Sequence, residues 1–404
     1  MEPSTSAVVR LREWTHSEPI ALSEPSLGVV SGLGDIIELR PAPRGRWTLK
    51  PRGIVGRIQL PDCTLDLAPK YPIANLCRVI ARVSGIPKLF ESTTGMDEGG
   101  LTDLLIAAFV RRTEALLSAG LRRNYVEKHE RLQVLRGRLD LASHLLQPEP
   151  LRTSFDCRHE DYNLHTRFNA VLRQTADACR THLPALSGRV LRLRHRLASL
   201  PRSSFRSGDL DGFQYDRLTE SYRPVHRLCR LILAGTGLGL GTAQETGTSF
   251  AIKMWPLFER FVSVSLRTRL SAPWRLETQE QVALDRGGAI EVRPDIVVYE
   301  GTRPAAIVDA KYVLRDDGTP TSGNAFQVLA YARRYGVRTG WLVYPDRPEG
   351  ARVFVCHDKQ NEVASFGLDL SADWSRVEAG LDQLAAQITL GRNAPPSAAR
   401  RSHR

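Results

Sequence analysis

Residues 293 to 313 read RPDIVVYEGTRPAAIVDAKYV, two apolar runs flanking a Gly-Thr-Arg-Pro turn. Each run carries one aspartate, Asp295 and Asp309, and Lys311 follows two places after the second. Residues two apart on a strand point to one face, so Asp309 and Lys311 share a face. Asp295 falls on or just before the other strand of the hairpin, so the three side chains are expected to converge at one end of it. Carboxylates among Ile, Val and Ala are costly unless something compensates them. A hard divalent cation such as Mg²⁺ does so, because it needs only one or two protein carboxylates and keeps several waters. The Ala310 carbonyl offers another oxygen. Such an ion polarises a phosphodiester and lowers the pKa of a bound water. Lys311 is then placed to orient that water, help deprotonate it, or offset charge on the phosphate. Taken singly, the residues have plainer readings: Asp295 as a strand-end aspartate, Lys311 as a solvated residue or the partner of Asp309 in an ordinary ion pair.

The elements that must position these groups follow from periodicity. IKMWPLFERFVSVSLRTRL is an amphipathic helix with Phe258, Phe261, Val262 and Leu266 on its buried side. WRLETQEQVAL, AIEVRPDIVVY and PAAIVDAKYV read as three strands with tight connections, then NAFQVLAYARRYG as a helix, then TGWLVYP and ARVFVCH as strands. Upstream, AVVRLREW, GVVSG, DIIELR, RWTLKPRGIVGRIQL and CTLDLAPK read as short strands of a small antiparallel β module. LTDLLIAAFVRRTEALLSAGLRRNY is a long helix, RLQVLRGRLDLASHLL alternates like a strand around Leu132 to Leu141, and FDCRHEDYN leads into a helix from about His165. VLRLRHRLASL and VHRLCRLILAGTG continue the helical character. The expected fold class is α+β multidomain: an N-terminal small β module (1–72), a mixed, mainly helical middle region (73–245), a C-terminal α/β domain (246–390) and a disordered tail (391–404).

Composition bounds the partners. The chain has 404 residues and a net charge of +12. Only seven of its 56 basic residues are lysine, and the sign of the charge suits a polyanion such as nucleic acid, or simply a basic soluble protein. The six cysteines match no zinc spacing and read as scattered thiols of a cytoplasmic protein. No apolar run approaches the ~20 residues needed to span a bilayer, so no membrane partner is expected. No GxxxxGK[ST] loop occurs, and the Gly-rich 235–247 reads as a connector.

Pro294-Asp295 followed by Asp309-Ala310-Lys311 resembles the PD-(D/E)xK nuclease motif. That resemblance implies a restriction-endonuclease-like C-terminal domain. It adds Glu259 in LFERF as a further acidic residue, and Gln327 with Tyr331, four apart on one helix face, as supporting groups. LFERFV, RPDIVVY, IVDAKYV and FQVLAYARRYG, with GRIQLPDCTLDLAPKYP, RGRLDL and FDCRHEDYNLHTRFNAVL upstream, together resemble the McrC family, the nuclease subunit of McrBC-type modification-dependent restriction systems. The likeness spans about residues 50 to 360. The AIKMWP lead-in to LFERF and the first fifty residues depart from it.

The McrC resemblance implies an Mg²⁺-dependent double-stranded-DNA endonuclease, with Mn²⁺ as the alternative ion, held by Asp295, Asp309, the Ala310 carbonyl and Glu259. It implies a hexameric McrB-like AAA+ GTPase partner whose hydrolysis the chain stimulates. Arg136, Arg138, Arg152 and Arg158 are candidates to reach that motor, or are solvated surface groups. The alternatives are a PD-(D/E)xK nuclease of another defence or repair system, or a non-catalytic adaptor for DNA or a motor.

Overall fold

The computed structural model describes residues 7–86, 100–145, 153–179, 181, 183–236, 249–313, 319–345, 350–357 and 360–390. The chain divides into two units, one of Met1–Phe90 with Ala251–Arg404, the other of Glu91–Phe250. The linear division expected from the sequence separates the N-terminal strands from the C-terminal half; the structure groups them. The proposed tail, 391–404, lies outside the described residues.

The first unit opens with β1 (Ala7–Arg12), α1 (Glu24–Ser31), β2 (Ile37–Ala42), β3 (Arg46–Pro51), β4 (Ile54–Gln59), β5 (Cys63–Ala68) and α2 (Ile73–Ser84). Two expectations are corrected here. GVVSG belongs to α1, because Ser23 caps the helix by accepting from Ser26 N at 3.4 Å and Pro25 lies in its first turn. The module is not purely antiparallel, since β1 pairs parallel with β5. β2 and β3 form a separate hairpin.

The second unit contains α3 (Leu101–Ala119), β6 (Asn124–Leu132), β7 (Arg138–Leu139), α4 (Leu141–Leu145), β8 (Phe155–Asn163), α5 (Arg167–Ala178), α6 (Pro184–Leu197) and α7 (Arg223–Thr236). The long helix stops at Gly120, whose φ of +93° suits glycine, so NY starts a strand instead of ending the helix. LASHL, just past the strand-like stretch read around Leu132 to Leu141, is the short α4. β6, β8 and β7 make a three-stranded sheet. The described part of the Gly-rich connector ends with α7; residues 237–248 lie outside the described set.

The chain then returns to the first unit. β9 (Phe250–Lys253) completes a four-stranded sheet in the order β1-β5-β4-β9. This explains the grouping, because the strand that leads into the C-terminal half is hydrogen-bonded to the N-terminal one. α8 (Met254–Arg267) follows, then β10 (Trp274–Thr278), β11 (Val282–Ala283), β12 (Glu291–Val292), β13 (Ile296–Glu300), β14 (Arg303–Ala310), α9 (Ser322–Tyr335), β15 (Thr339–Tyr344), β16 (Gly350–Val355), β17 (Glu362–Gly367) and α10 (Trp374–Leu390). The large sheet runs β10-β13-β14-β15-β17-β16. β17 and α10 had no counterpart in the sequence reading, and β17 inserts between β15 and the edge strand β16.

β14 is central, antiparallel to β13 and parallel to β15. A strand covered on both faces reads as a continuous apolar run, which accounts for AAIV before Asp309. One face packs on α9 through Val297, Ile307, Val328, Tyr331, Ala332 and Leu342. Gly340 permits the close approach: a Cβ there would stand 2.7 Å from Val328 Cγ2. Among the described residues no helix is long and apolar enough to cross a membrane, and all six cysteines are free.

Candidate active site

The β13–β14 hairpin closes on Gly301, at φ +59°, and its register pairs Ile296 with Val308. Asp295 stands one step before that pair and Asp309 one step after it, so the carboxylates come together at the open end of the hairpin. Asp295 Oδ2 accepts a hydrogen bond from the Ala310 amide at 2.9 Å. Asp309 is only 2% exposed. Lys311 continues the ladder by donating its amide to Val343 O at 2.8 Å. Its Nζ lies 2.6 Å from Asp309 Oδ2 and donates to Gln327 Oε1 at 2.9 Å.

Three further elements reach the same place. α9, capped by Thr321 accepting from Asn324 N, presents Gln327 and Tyr331 on one face, and Gln327 Nε2 donates to Tyr331 Oη at 2.8 Å. α8 carries Glu259, next to the buried Phe258, Phe261 and Val262 of the same helix. β10 pairs with β13 through Thr278 and Ile296, which brings Gln279 beside Asp295. Gln279 donates its amide to Asp295 O at 3.1 Å, and its side-chain Nε2 bridges Glu259 Oε1 and Asp295 Oδ1, the latter at 3.3 Å. Asp295, Asp309, Ala310, Lys311, Glu259, Gln327 and Tyr331 therefore sit in one connected network.

Gln279 is the member that sequence reasoning missed. Its signal is slight: a polar run, ETQEQ, at the end of an apolar strand. Gln279 also adopts a φ of +57°, uncommon for a residue with a Cβ, and Arg293 Nε donates to its carbonyl at 3.2 Å.

The electrostatics are those of crowded acids. Burial, then the negative charges of Asp309 and Glu259, push Asp295 up to about 7. Burial raises Asp309 as well, against the pull of Lys311. Glu259 is raised by burial and by Asp309. For Lys311, burial works to lower the ammonium, but Asp309 and Asp295 outweigh it and hold it above the ordinary lysine value. It is therefore a fixed cation at neutral pH. Among the described residues no three His, Cys, Asp or Glu side chains already stand in an arrangement that could hold a metal ion.

The arginines expected to face a motor lie in the second unit. Arg136 pairs with Asp161 at 3.3 Å and Arg158 with Asp140 at 2.8 Å, while Arg138 lies on β7. Arg152 lies outside the described residues.

The fold is mixed α+β, with a carboxylate–lysine cluster at the open end of one hairpin. The family model of the "McrBC 5-methylcytosine restriction system component" matches residues 49–345, most of the chain, and the chain belongs to that family. This agrees with the McrC resemblance read from the sequence. Its fold is similar to that of a chain in the refined half-complex from a tetradecameric assembly of Thermococcus gammatolerans McrB AAA+ hexamers with bound McrC. There the TM-score is 0.64 at 16% identity, over 94% of this chain and 100% of the other. The cryo-EM structure of the Thermococcus gammatolerans McrBC complex matches more loosely, with a TM-score of 0.48 at 18% identity, over 66% and 88% of the two chains. Among curated proteins none matches the chain in sequence.

Proposed function

We propose that this chain is the Mg²⁺-dependent DNA endonuclease subunit of a McrBC-like restriction system, with a PD-(D/E)xK nuclease domain in its C-terminal half. The observation that carries the reading is the meeting of Asp295, Asp309 and Lys311 at the end of one hairpin, in a chain of this family.

The donor set fits a hard cation. Asp295 and Asp309 are buried beside one another and hold each other's charge at a cost, which a divalent ion relieves. Two carboxylates and the Ala310 carbonyl suffice for Mg²⁺, which keeps its remaining waters; Glu259 contributes directly or through water. When bound, the ion polarises the scissile phosphodiester and lowers the barrier to water attack. Lys311 acts as a charge and not as a base, because its neighbours keep it protonated. It offsets negative charge developing on the phosphate and orients the attacking water. Gln327 fixes the Lys311 ammonium, and Tyr331 fixes Gln327. Gln279 holds Glu259 against Asp295.

The partner reading rests on the likeness to a chain from an assembly of McrB AAA+ hexamers with bound McrC. We take a GTP-hydrolysing hexamer of that kind to be the motor here, stimulated by this chain in the cytoplasm. The test is plasmid cleavage in Mg²⁺ by the full chain, with and without the AAA+ partner and GTP, for wild type and Asp309→Ala. Cutting that requires Asp309 and the partner supports the assignment. Equal cutting by Asp309→Ala removes the site, and cutting by the chain alone moves the nuclease to another system.

A further inference from the structure

Glu13 stands at the end of β1, far in sequence from the hairpin, yet it is 1% exposed and touches it. Its Oε2 accepts from the Tyr312 hydroxyl at 3.0 Å and from the Lys70 amide at 3.3 Å. Among the described residues its Oε1 has no hydrogen-bond partner. Tyr312 is the residue after Lys311 and is itself buried. Its ring packs against Phe258 at 6.0 Å between centroids, and Phe258 directly precedes Glu259. Its other side meets the edge of Tyr71 at 6.1 Å, and the Lys70 ammonium stands 5.1 Å from its centroid. One side chain thus braces the helix that carries Glu259 while its backbone continues directly from Lys311. Lys70 lies two residues beyond the end of β5.

A carboxyl in this setting is a poor choice for stability alone. Burial pushes it up to about 7, so at neutral pH an ionised Glu13 costs folding energy. A glutamine would fill the space and accept the same hydrogen bonds. What Glu13 supplies here is therefore the acceptor geometry, an oxygen fixed against the Tyr312 hydroxyl, and not the charge.

We infer that Glu13 and Tyr312 are positioning residues for the site: the Glu13 carboxyl anchors the Tyr312 hydroxyl, and Tyr312 sets the alignment of Lys311 with Glu259. This rests on the nuclease reading. The first β-strand is then part of the nuclease in effect, and its loss disarms a hairpin nearly three hundred residues away.

The experiment uses the full chain with its AAA+ partner, GTP and Mg²⁺. Wild type, Asp309→Ala, Tyr312→Phe, Glu13→Gln, Glu13→Ala and the double Glu13→Ala/Tyr312→Phe variant are compared at a temperature where circular dichroism shows each folded. The expected result is a fall in kcat of about tenfold for Tyr312→Phe and Glu13→Ala, with KM for DNA unchanged, the size that small misalignment of a reacting group produces. The double variant falls no further, because the two residues act as one unit. Glu13→Gln stays near wild type, since its amide oxygen still accepts from Tyr312. Calorimetric titration with Mn²⁺ gives a readout apart from turnover, and the same two single variants weaken that affinity. Wild-type kcat and Mn²⁺ affinity in Tyr312→Phe and Glu13→Ala overturn the inference while leaving the nuclease standing. Additive losses in the double variant overturn it too. No cutting by wild type, or equal cutting by Asp309→Ala, sinks the nuclease reading and this inference with it.

Discussion

His226 in the second unit and Asp295 in the first are both buried titratable groups, and their surroundings treat them in opposite ways. His226 is enclosed by Phe168, Phe213, Tyr215 and Tyr222. Its Nε2 donates to the Phe168 carbonyl at 3.0 Å, and its Nδ1 accepts from the Tyr215 hydroxyl at 3.0 Å. Burial pushes it down to about 4, so it is neutral and both ring nitrogens are satisfied. Asp295 also has partners, yet Asp309 and Glu259 face it with like charge. The histidine pocket removes charge and rigidifies; the hairpin end gathers three carboxyls around the single Lys311 ammonium. That difference separates burial that serves the fold from burial of the kind the proposed nuclease site requires.

The largest effect expected of the contrast is on activity. Asp309→Ala should reduce DNA cleavage by at least about 10³-fold, while the partner's GTP hydrolysis stays stimulated. Cleavage and phosphate release measured on the same complex check it. In the histidine pocket the loss should fall on stability instead. His226→Ala leaves a cavity and two unsatisfied groups, at a cost of about 2–4 kcal/mol, read as a lowered Tm or denaturant midpoint.

The two pockets should also answer pH in opposite directions. His226 titrates near 4 folded against an ordinary 6.5, so its contribution is full above about pH 6.5 and is lost as pH falls toward 4. Asp295 titrates near 7 folded against an ordinary 3.8, so its contribution is full below about pH 4 and is lost as pH rises through 7. Tm measured from pH 4 to 7 in a chelating buffer should lose its falling component in Asp295→Asn and its rising component in His226→Ala. The smallest effect sharpens the point. Asp295→Asn keeps an oxygen for the Ala310 amide and relieves the repulsion. It should gain about 1 kcal/mol at pH 8 without divalent ions, roughly 2–4 °C in Tm, while cleavage is lost. A destabilised Asp295→Asn would mean that the carboxylates are not in conflict.

Much of the site was legible because its spacings are local. Asp309 and Lys311 share a face by the strand period, Gln327 and Tyr331 by the helix period, and one turn returns Asp295 to Asp309. Gln279 and Glu13 were not legible. Each reaches the site through pairing across the chain, β10 onto β13 for one and β1 onto β5 for the other. GVVSG shows the converse error: apolar content suggested a strand, but Ser23 and Pro25 start a helix.

The amino-acid sequence alone determined many of the elements, the hairpin and the pairing of two aspartates with a lysine, since periodicity and turn chemistry act over a few residues. Tertiary structure decided which strands are neighbours and so which charges confront one another. It set β9 beside β4, β17 between β15 and β16, and Glu13 under Tyr312. These follow from burial and hydrogen bonding between partners that lie from about twenty to about three hundred residues apart and leave no regular spacing to read.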